Sequence, residues 1–101
     1  MTIWEFLDQR HIGIRTWREP GTLDEPAYWK CILYDPENED AVELILKPDG
    51  RRVVPVGTGL TAKEAVENII LGIKGNELVI TDVDPASNAI EIIPVPSDIT
   101  T

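Results

Sequence analysis

The segment GTGLTAKEAVENIILGIKG, residues 57–75, carries the clearest periodic pattern in this chain. Thr61 and Glu64 have the spacing of a capping box, in which each residue satisfies a free amide at the start of a helix. Gly75 is a typical helix stop. The apolar residues between them recur at three- and four-residue spacing: Ala62, Ala65, Val66, Ile69, Ile70 and Ile73. The segment therefore predicts an amphipathic helix that buries one face.

Gly57 and Gly59 precede this helix, where a phosphate-binding loop would stand, but the pattern of such a loop is missing. A P-loop requires GxxxxGK[ST], and a dinucleotide fingerprint requires a third glycine and parallel strands. The letters GTGLTAKE meet neither requirement. We predict instead that the two glycines allow a sharp strand-to-helix turn with positive φ, and we expect no cofactor.

Five further segments have the composition of β-strands. Three precede the helix, and two follow it as a hairpin joined by DPASN at 84–88. Pro55 favours an edge or a bulge in the third of them. The five are AYWKCILYD (27–35), AVELILK (41–47), RRVVPV (51–56), ELVITDV (77–83) and AIEIIPV (89–95).

The N-terminal segment TIWEFLDQRHIG, residues 2–13, predicts a short helix. Thr2 and Glu5 repeat the capping-box spacing, and Gly13 is expected to end the helix in the left-handed conformation. The buried stripe is predicted to be Ile3, Trp4 and Leu7.

Residues 18–26, REPGTLDEP, predict a loop that begins close to Trp17. The predicted order is therefore α-β-β-β-α-β-β. This order favours an α+β fold, in which an antiparallel sheet carries the helices on one face. We expect a single domain over residues 1–96 and a flexible tail at 97–101.

Alternation along the first predicted strand separates a core face from an outward face. Cys31 faces the core together with Trp29 and Leu33. An unusually apolar set is expected on the outward face: Tyr28, Ile32, Tyr34 and, from the second strand beside Glu43 and Lys47, Ile45. Such a set indicates a contact surface, so the protein is expected either to self-associate through the sheet or to cover this face with its hairpin.

The chain is strongly acidic, with 18 Asp and Glu residues against 9 Lys and Arg residues and a net charge of −9. This charge favours basic partners and disfavours nucleic acid and anionic lipid. The single cysteine excludes an internal disulfide. The first residues do not resemble a signal peptide, and no segment approaches the roughly 20 apolar residues of a membrane span. We therefore expect a cytoplasmic protein without membrane contact.

Residue types needed for catalysis are scarce. His11 is the only histidine and Cys31 the only thiol, and His11 near a helix end suits the helix dipole better than catalysis. The segment DPENED, residues 35–40, lacks the central glycine and the final glutamate of a calcium loop. Asp82 and Asp84 fall on one side of a strand, but Asp84 precedes a proline and suits a turn. We expect a non-enzymatic protein with no metal site.

The helix motif GLTAKEAVENI resembles the GxTxxEAxxN helix of HicB-type antitoxins. With the strands before it, the resemblance covers about residues 28–74. It implies an acidic protein that covers a basic toxin and often oligomerises through its sheet. The N-terminal helix and the C-terminal hairpin depart from that family, which typically has a DNA-binding segment at its C-terminal end. The matching positions are Gly59, Thr61, Glu64, Ala65 and Asn68.

The order α-β-β-β-α and the letters KEA at the second helix start also resemble the double-stranded RNA-binding domain, over about residues 3–74. This resemblance implies contacts with the backbone of duplex RNA. Glu64 and Glu67 depart from it, because that family tends to place basic residues there. The matching positions are Gly57, Gly59, Lys63 and Ala65.

Two function hypotheses follow. The first is a protein-binding module, such as an antitoxin, an immunity protein or a phage-type inhibitor, that covers a basic surface of its partner. Its contact residues would be the outward apolar set together with four acids: Glu37, Glu39, Asp40 and Glu43. The second is a nucleic-acid binder that uses a local basic patch: Arg51, Arg52 and Lys63.

Overall fold

The computed structural model describes residues 1–46, 48–81 and 90–101. Predictions outside these ranges concern Lys47, Asp82, Asp84 and the DPASN turn. In chain order, the described elements are α1 (Ile3–Arg10), β1 (Gly13–Glu19), β2 (Tyr28–Tyr34), β3 (Glu43–Ile45), β4 (Arg52–Val53), β5 (Val56–Gly59), α2 (Ala62–Ile73), β6 (Glu77–Thr81) and β7 (Ile90–Pro94).

The described strands form two antiparallel sheets. Sheet A has the order β1-β2-β5, and sheet B has the order β4-β3-β6-β7. Together with the two helices, these sheets confirm the predicted α+β class with antiparallel pairing. The pairing of β6 with β7 is also confirmed. This hairpin extends β3 in sheet B.

Three boundaries differ from the predicted ones. β1 occupies Gly13–Glu19, where a helix end and the start of a loop were expected, and all seven of its residues pair with β2. Consequently α1 ends earlier, and His11 rather than Gly13 adopts the left-handed conformation, with φ of 54°. The predicted strand at 51–56 divides into β4 and β5, which belong to different sheets. Pro55 lies buried between them, and a residue without an amide hydrogen cannot continue a paired strand.

Helix α2 forms as its periodicity predicts. Five residues of the predicted stripe are buried, and Ala62 is half-buried. At its N-terminus, the Glu64 amide donates to Thr61 Oγ1 at 3.1 Å. The Glu64 carboxylate accepts the amide of Leu60 at 2.9 Å, one residue before the cap. Asn68 Nδ2 donates to the Thr58 carbonyl at 2.5 Å and ties the helix to β5. Thr61, Glu64 and Asn68 of the GxTxxEAxxN pattern thus hold α2 in place.

Gly57 and Gly59 serve close packing and not the positive-φ turn that was predicted. Among the described glycines, only Gly50 and Gly75 have positive φ. A Cβ atom on Gly57 would collide with the Ala65 carbonyl oxygen and would lie 2.8 Å from Ile69 Cβ. Both glycines therefore allow β5 to lie directly against the backbone of α2.

One apolar core joins both sheets and both helices. From α1 it takes Ile3, Phe6 and Leu7. The prediction that Trp4 is a core residue is wrong, because Trp4 is 49% exposed whereas Phe6 is 2% exposed. The other fully buried large residues include Leu33, Ile69, Ile73, Leu78 and Ile93.

The C-terminal residues, predicted to be a flexible tail, pack against the N-terminus instead. The Ile3 amide donates to the Thr100 carbonyl at 2.7 Å, and the Thr100 amide donates to the Met1 carbonyl at 3.2 Å. Thr2 and Thr100 form a parallel bridge, and Ile99 is 1% exposed. Burial of Ile99 supplies the apolar contact that anchors this segment.

Candidate binding face

The register of sheet A sorts its side chains into two faces. Cys31 and Leu33 of β2 are buried on the inner face, where α2 packs. Their neighbours in sequence point to the opposite side. Among the described helices and strands outside sheet A, only α2 makes extensive contact with it, and α2 lies on the inner side. We call the opposite side the open face. Its residues are Arg15, Trp17, Glu19, Tyr28, Lys30, Ile32, Tyr34, Val56 and Thr58, and each of them is half-buried or exposed.

Tyr34 lies at one end of the open face with its ring across β1. A Cβ atom on Gly13, its partner in the register, would collide with this ring. The guanidinium carbon of Arg15 lies 4.3 Å from the ring centroid. The absence of a side chain at Gly13 therefore makes room for the ring, and the cation–π contact with Arg15 holds it there.

Trp17 lies near the middle of β1 on the same face. Its indole Nε1 donates to Glu19 Oε1 at 2.7 Å, and Lys30 Nζ lies 5.9 Å from the ring. Trp17 therefore lies in a strand, where the sequence predicted the start of a loop. The only sequence signal for β1 was the presence of the strand-forming types Ile14, Thr16 and Trp17 between Gly13 and a proline.

The predicted outward apolar set divides between the two sheets. Tyr28, Ile32 and Tyr34 lie together on the open face, as alternation predicted. Ile45 does not join them, because β3 belongs to sheet B, where Ile45 pairs with Arg52 and Glu77. The sequence showed that these residues alternate but not that their strands enter different sheets.

The acidic residues at 35–40 form a tight turn after Tyr34, which we call the acidic turn. Asp35 is only 9% exposed and organises it. Its carboxylate accepts the Glu37 amide at 3.1 Å and Asn38 Nδ2 at 2.7 Å. Its amide donates to the Asp40 carbonyl at 2.8 Å. Asp35 makes the hydrogen bonds that hold the turn together. The side chains of the predicted contact acids Glu37, Glu39 and Asp40 take no part in them and are exposed.

Glu43, the fourth predicted contact acid, is half-buried on β3. It lines a cleft of about 390 Å³ with Asp35 and Asp40, and the apolar wall of this cleft includes Val54 and Ile80. The structure therefore brings Asp40 and Glu43 to one concave site at the border of sheet B.

The three residues of the predicted basic patch do not lie together. Arg51 and Arg52 are exposed, Arg52 in the edge strand β4 of sheet B and Arg51 just before it. Lys63 lies in the first turn of α2, against sheet A, and its Nζ lies 3.9 Å from the Glu67 carboxylate. The basic residues that lie over aromatic rings are instead Arg15 and Lys30, and neither belongs to the predicted patch.

Cys31 and His11 do not share a site. Cys31 is 0% exposed on the inner face of sheet A, whereas His11 is exposed at the end of α1.

Burial raises the pKa of the Cys31 thiol, and a hydrogen bond with Thr16 opposes this only in part. The neutral thiol contributes stability that is complete below the unfolded pKa, about 8.5, and is lost as the pH rises through the higher folded value.

We expect iodoacetamide to modify Cys31 more than about a hundredfold more slowly in the folded protein than in the unfolded chain, because the reaction requires opening of the core. A Ser97→Cys variant provides an exposed thiol in the same molecule. Mass spectrometry of the two sites over time measures both rates. Equal rates at the two sites in the folded protein would contradict the burial of Cys31.

The fold and the open face define an acidic α+β protein of two antiparallel sheets. No family model, no curated protein and no solved structure matches the chain. In the described ranges, no helix is both long and apolar enough to cross a bilayer. Nor do any three His, Cys, Asp or Glu side chains of those ranges gather closely enough to hold a metal ion.

Proposed function

We propose that this chain is a small non-enzymatic protein-binding module, which covers a basic surface of another protein with its open face and its acidic turn. The observation that carries the proposal is the open face itself. Its aromatic and aliphatic side chains include Trp17, Ile32 and Tyr34, and the basic side chains of Arg15 and Lys30 lie among them. Among the described helices and strands outside sheet A, only α2 packs extensively against it, on the opposite, inner side. Sheet faces that expose several large apolar side chains without a cover are typical of contact surfaces.

The aromatic residues of the open face are held in place before any partner arrives. Tyr34 is fixed over Gly13 by Arg15, and Trp17 is fixed by its bond to Glu19. Tyrosine, tryptophan and arginine are the residues that most often dominate interface energies. A side chain that is already ordered loses less entropy on binding, so these contacts favour affinity.

The charge of the acidic turn indicates the kind of partner. Glu37, Glu39 and Asp40 are exposed directly beyond Tyr34. The neighbouring cleft has carboxylates and also the apolar side chains of Val54 and Ile80. A lysine or arginine of a partner would place its alkyl stem against the apolar wall and its charge near the carboxylates. The net charge of −9 would also speed the encounter with a basic protein.

Duplex nucleic acid, the alternative hypothesis, has less support. Lys63 lies beside Glu67, and the exposed Arg51 and Arg52 lie at the edge of the other sheet. Nuclease treatment separates the two hypotheses, because retention through nucleic acid would be lost after it.

The apolar part of the proposal is tested by a matched pair of variants, Ile32→Ser on the open face and Leu71→Ser on α2. Leu71 is 70% exposed and lies away from the open face. We expect the immobilised protein to retain a basic protein from nuclease-treated extract of its native cell. Ile32→Ser should weaken retention at least about tenfold, as loss of a central contact does, and Leu71→Ser should leave it unchanged. Retention that disappears with nuclease, or equal retention by both variants, would contradict the proposal.

The electrostatic part is tested by Glu37→Lys with Glu39→Lys. This double variant should slow association at low salt by about tenfold or more, and the difference should shrink as salt rises. The control is Glu67→Lys with Asp98→Lys, which changes the net charge equally at sites away from the acidic turn. Equal slowing by both double variants would show a general charge effect and no role for the turn.

A further inference from the structure

Among the described strands, β1 stands at an edge of sheet A. All seven residues of Gly13–Glu19 pair with β2 on the inner side. On the outer side, no backbone hydrogen bond joins β1 to another described residue. The outer amides and carbonyls of a strand this long form a template for pairing with another strand.

The other edges of the two sheets are poorer templates. β4 has two residues, β5 has four and includes two glycines, and β7 includes Pro94. Within β1 there is no proline, and none of its residues has positive φ. Proteins usually protect an edge by shortening it, by bulges or proline, or by charged side chains. β1 has only the last of these protections, in Arg15, Arg18 and Glu19.

The charges of β1 do not prevent pairing with a second copy of the same strand, because they are complementary to themselves in one register. A two-fold axis perpendicular to the sheet keeps the open faces on the same side, so one residue must lie opposite itself. With Trp17 on the axis, Arg15 lies opposite Glu19 of the second copy, and this pair occurs twice. With Arg15 or Arg18 on the axis, arginine would face arginine, and with Thr16 on it no opposite charges face each other.

We infer that β1 pairs with β1 of a second copy of this chain, antiparallel and centred on Trp17. The two copies then form a continuous six-stranded sheet of order β5-β2-β1-β1-β2-β5. Two Arg15–Glu19 pairs flank a Trp17–Trp17 contact on the open face. Opposite-charge and aromatic cross-strand pairs both stabilise an antiparallel sheet.

The pairing also enlarges the surface offered to a partner. Strands of seven, seven and four residues, about 4.8 Å apart, cover roughly 290 Å². This is less than half of the about 800 Å² that each partner of a standard interface buries. Two joined open faces cover about twice the area of one. The pairing itself uses only the β1 edge, so it does not depend on the proposed partner.

Charge-reversal variants test the pairing. The wild type should show concentration-dependent dimers in sedimentation equilibrium. Arg15→Glu alone places glutamate opposite Glu19, and Glu19→Arg alone places arginine opposite Arg15. Each should weaken self-association about tenfold or more, because two attractive pairs become two repulsive ones. An equimolar mixture of the two variants should form heterodimers, because each chain then meets opposite charge.

The mixture separates a specific pairing from damage to the fold, since two misfolded chains would not restore each other. A register test adds Trp17→Cys, which should cross-link to itself on oxidation, whereas Arg18→Cys, opposite Thr16, should cross-link at least about tenfold more slowly. A wild type that stays monomeric overturns the inference. So does a dimer that is insensitive to both charge reversals. Partner retention by the Ile32→Ser variant is a separate measurement, so either proposal can fail alone.

Discussion

Replacing Gly57 by alanine should lower the free energy of unfolding by about 3 kcal/mol, at the upper end of what overpacking costs. The added Cβ would collide with the Ala65 carbonyl oxygen, which is helix backbone and cannot swing aside as a flexible side chain does. Relief therefore requires α2 to move away from β5, and that movement would also weaken the hydrogen bond from Asn68 to Thr58. Chemical denaturation followed by circular dichroism measures the change.

The control for this variant is Gly72→Ala in the same helix. Gly72 is exposed, and no atom lies within 4 Å of a Cβ built there. Alanine has the higher helix propensity, so the same substitution should raise the free energy of unfolding by about 0.5–1 kcal/mol. If the free energy of unfolding falls for Gly57→Ala and rises for Gly72→Ala, the close approach of β5 and α2 determines the effect, and not the general preference of alanine over glycine. A Gly57→Ala protein as stable as the wild type would contradict this packing.

Replacing Phe6 by alanine should cost about 3–5 kcal/mol, because the ring lies in the core and its removal leaves a cavity. Phe6 is 2% exposed and belongs to the core cluster that also contains residues of both sheets and of α2. Because small domains have only about 5–15 kcal/mol of stability, this change is expected to bring the protein close to unfolding at room temperature.

Trp4→Ala is the matched control, because it removes a larger ring from the same helix. Trp4 is 49% exposed, so we expect a cost below about 1 kcal/mol. Thermal unfolding of the two variants would rank them directly. A larger loss at Trp4 than at Phe6 would mean that α1 packs through the stripe that the sequence first suggested.

The contrast between α2 and α1 shows how far a helix pattern can be interpreted. In α2 the apolar residues from Ala65 to Ile73 lie on a single face, so only that face of the helix can be buried. Thr61 marks the start of the helix. In α1 the short segment allows two stripes, one with Trp4 and one with Phe6 beside Ile3. Only contact with the rest of the protein selects between them, because helical spacing alone leaves both faces apolar.

The open face was predictable in part. Alternation placed Tyr28, Ile32 and Tyr34 on one side of β2, because side chains of a strand point alternately to its two faces. Arg15 and Trp17 could not be placed on that face from the sequence, since β1 has no clear alternation and its strand conformation depends on pairing with β2. The turn acids Glu37 and Glu39 were predicted to be exposed contact residues and are exposed.

Local chemistry was sufficient for the α+β class, for helix α2, for the alternation of β2 and for the β6–β7 pairing, because caps, turns and periodicity act over a few residues. Contacts between distant segments decided the rest. They divided the strands into two sheets at Pro55, placed Ile45 apart from Tyr34, and packed Ile99 against the N-terminal segment. The physical reason is that strand pairing and core packing gain their free energy between residues far apart in sequence, where no local pattern records the partner.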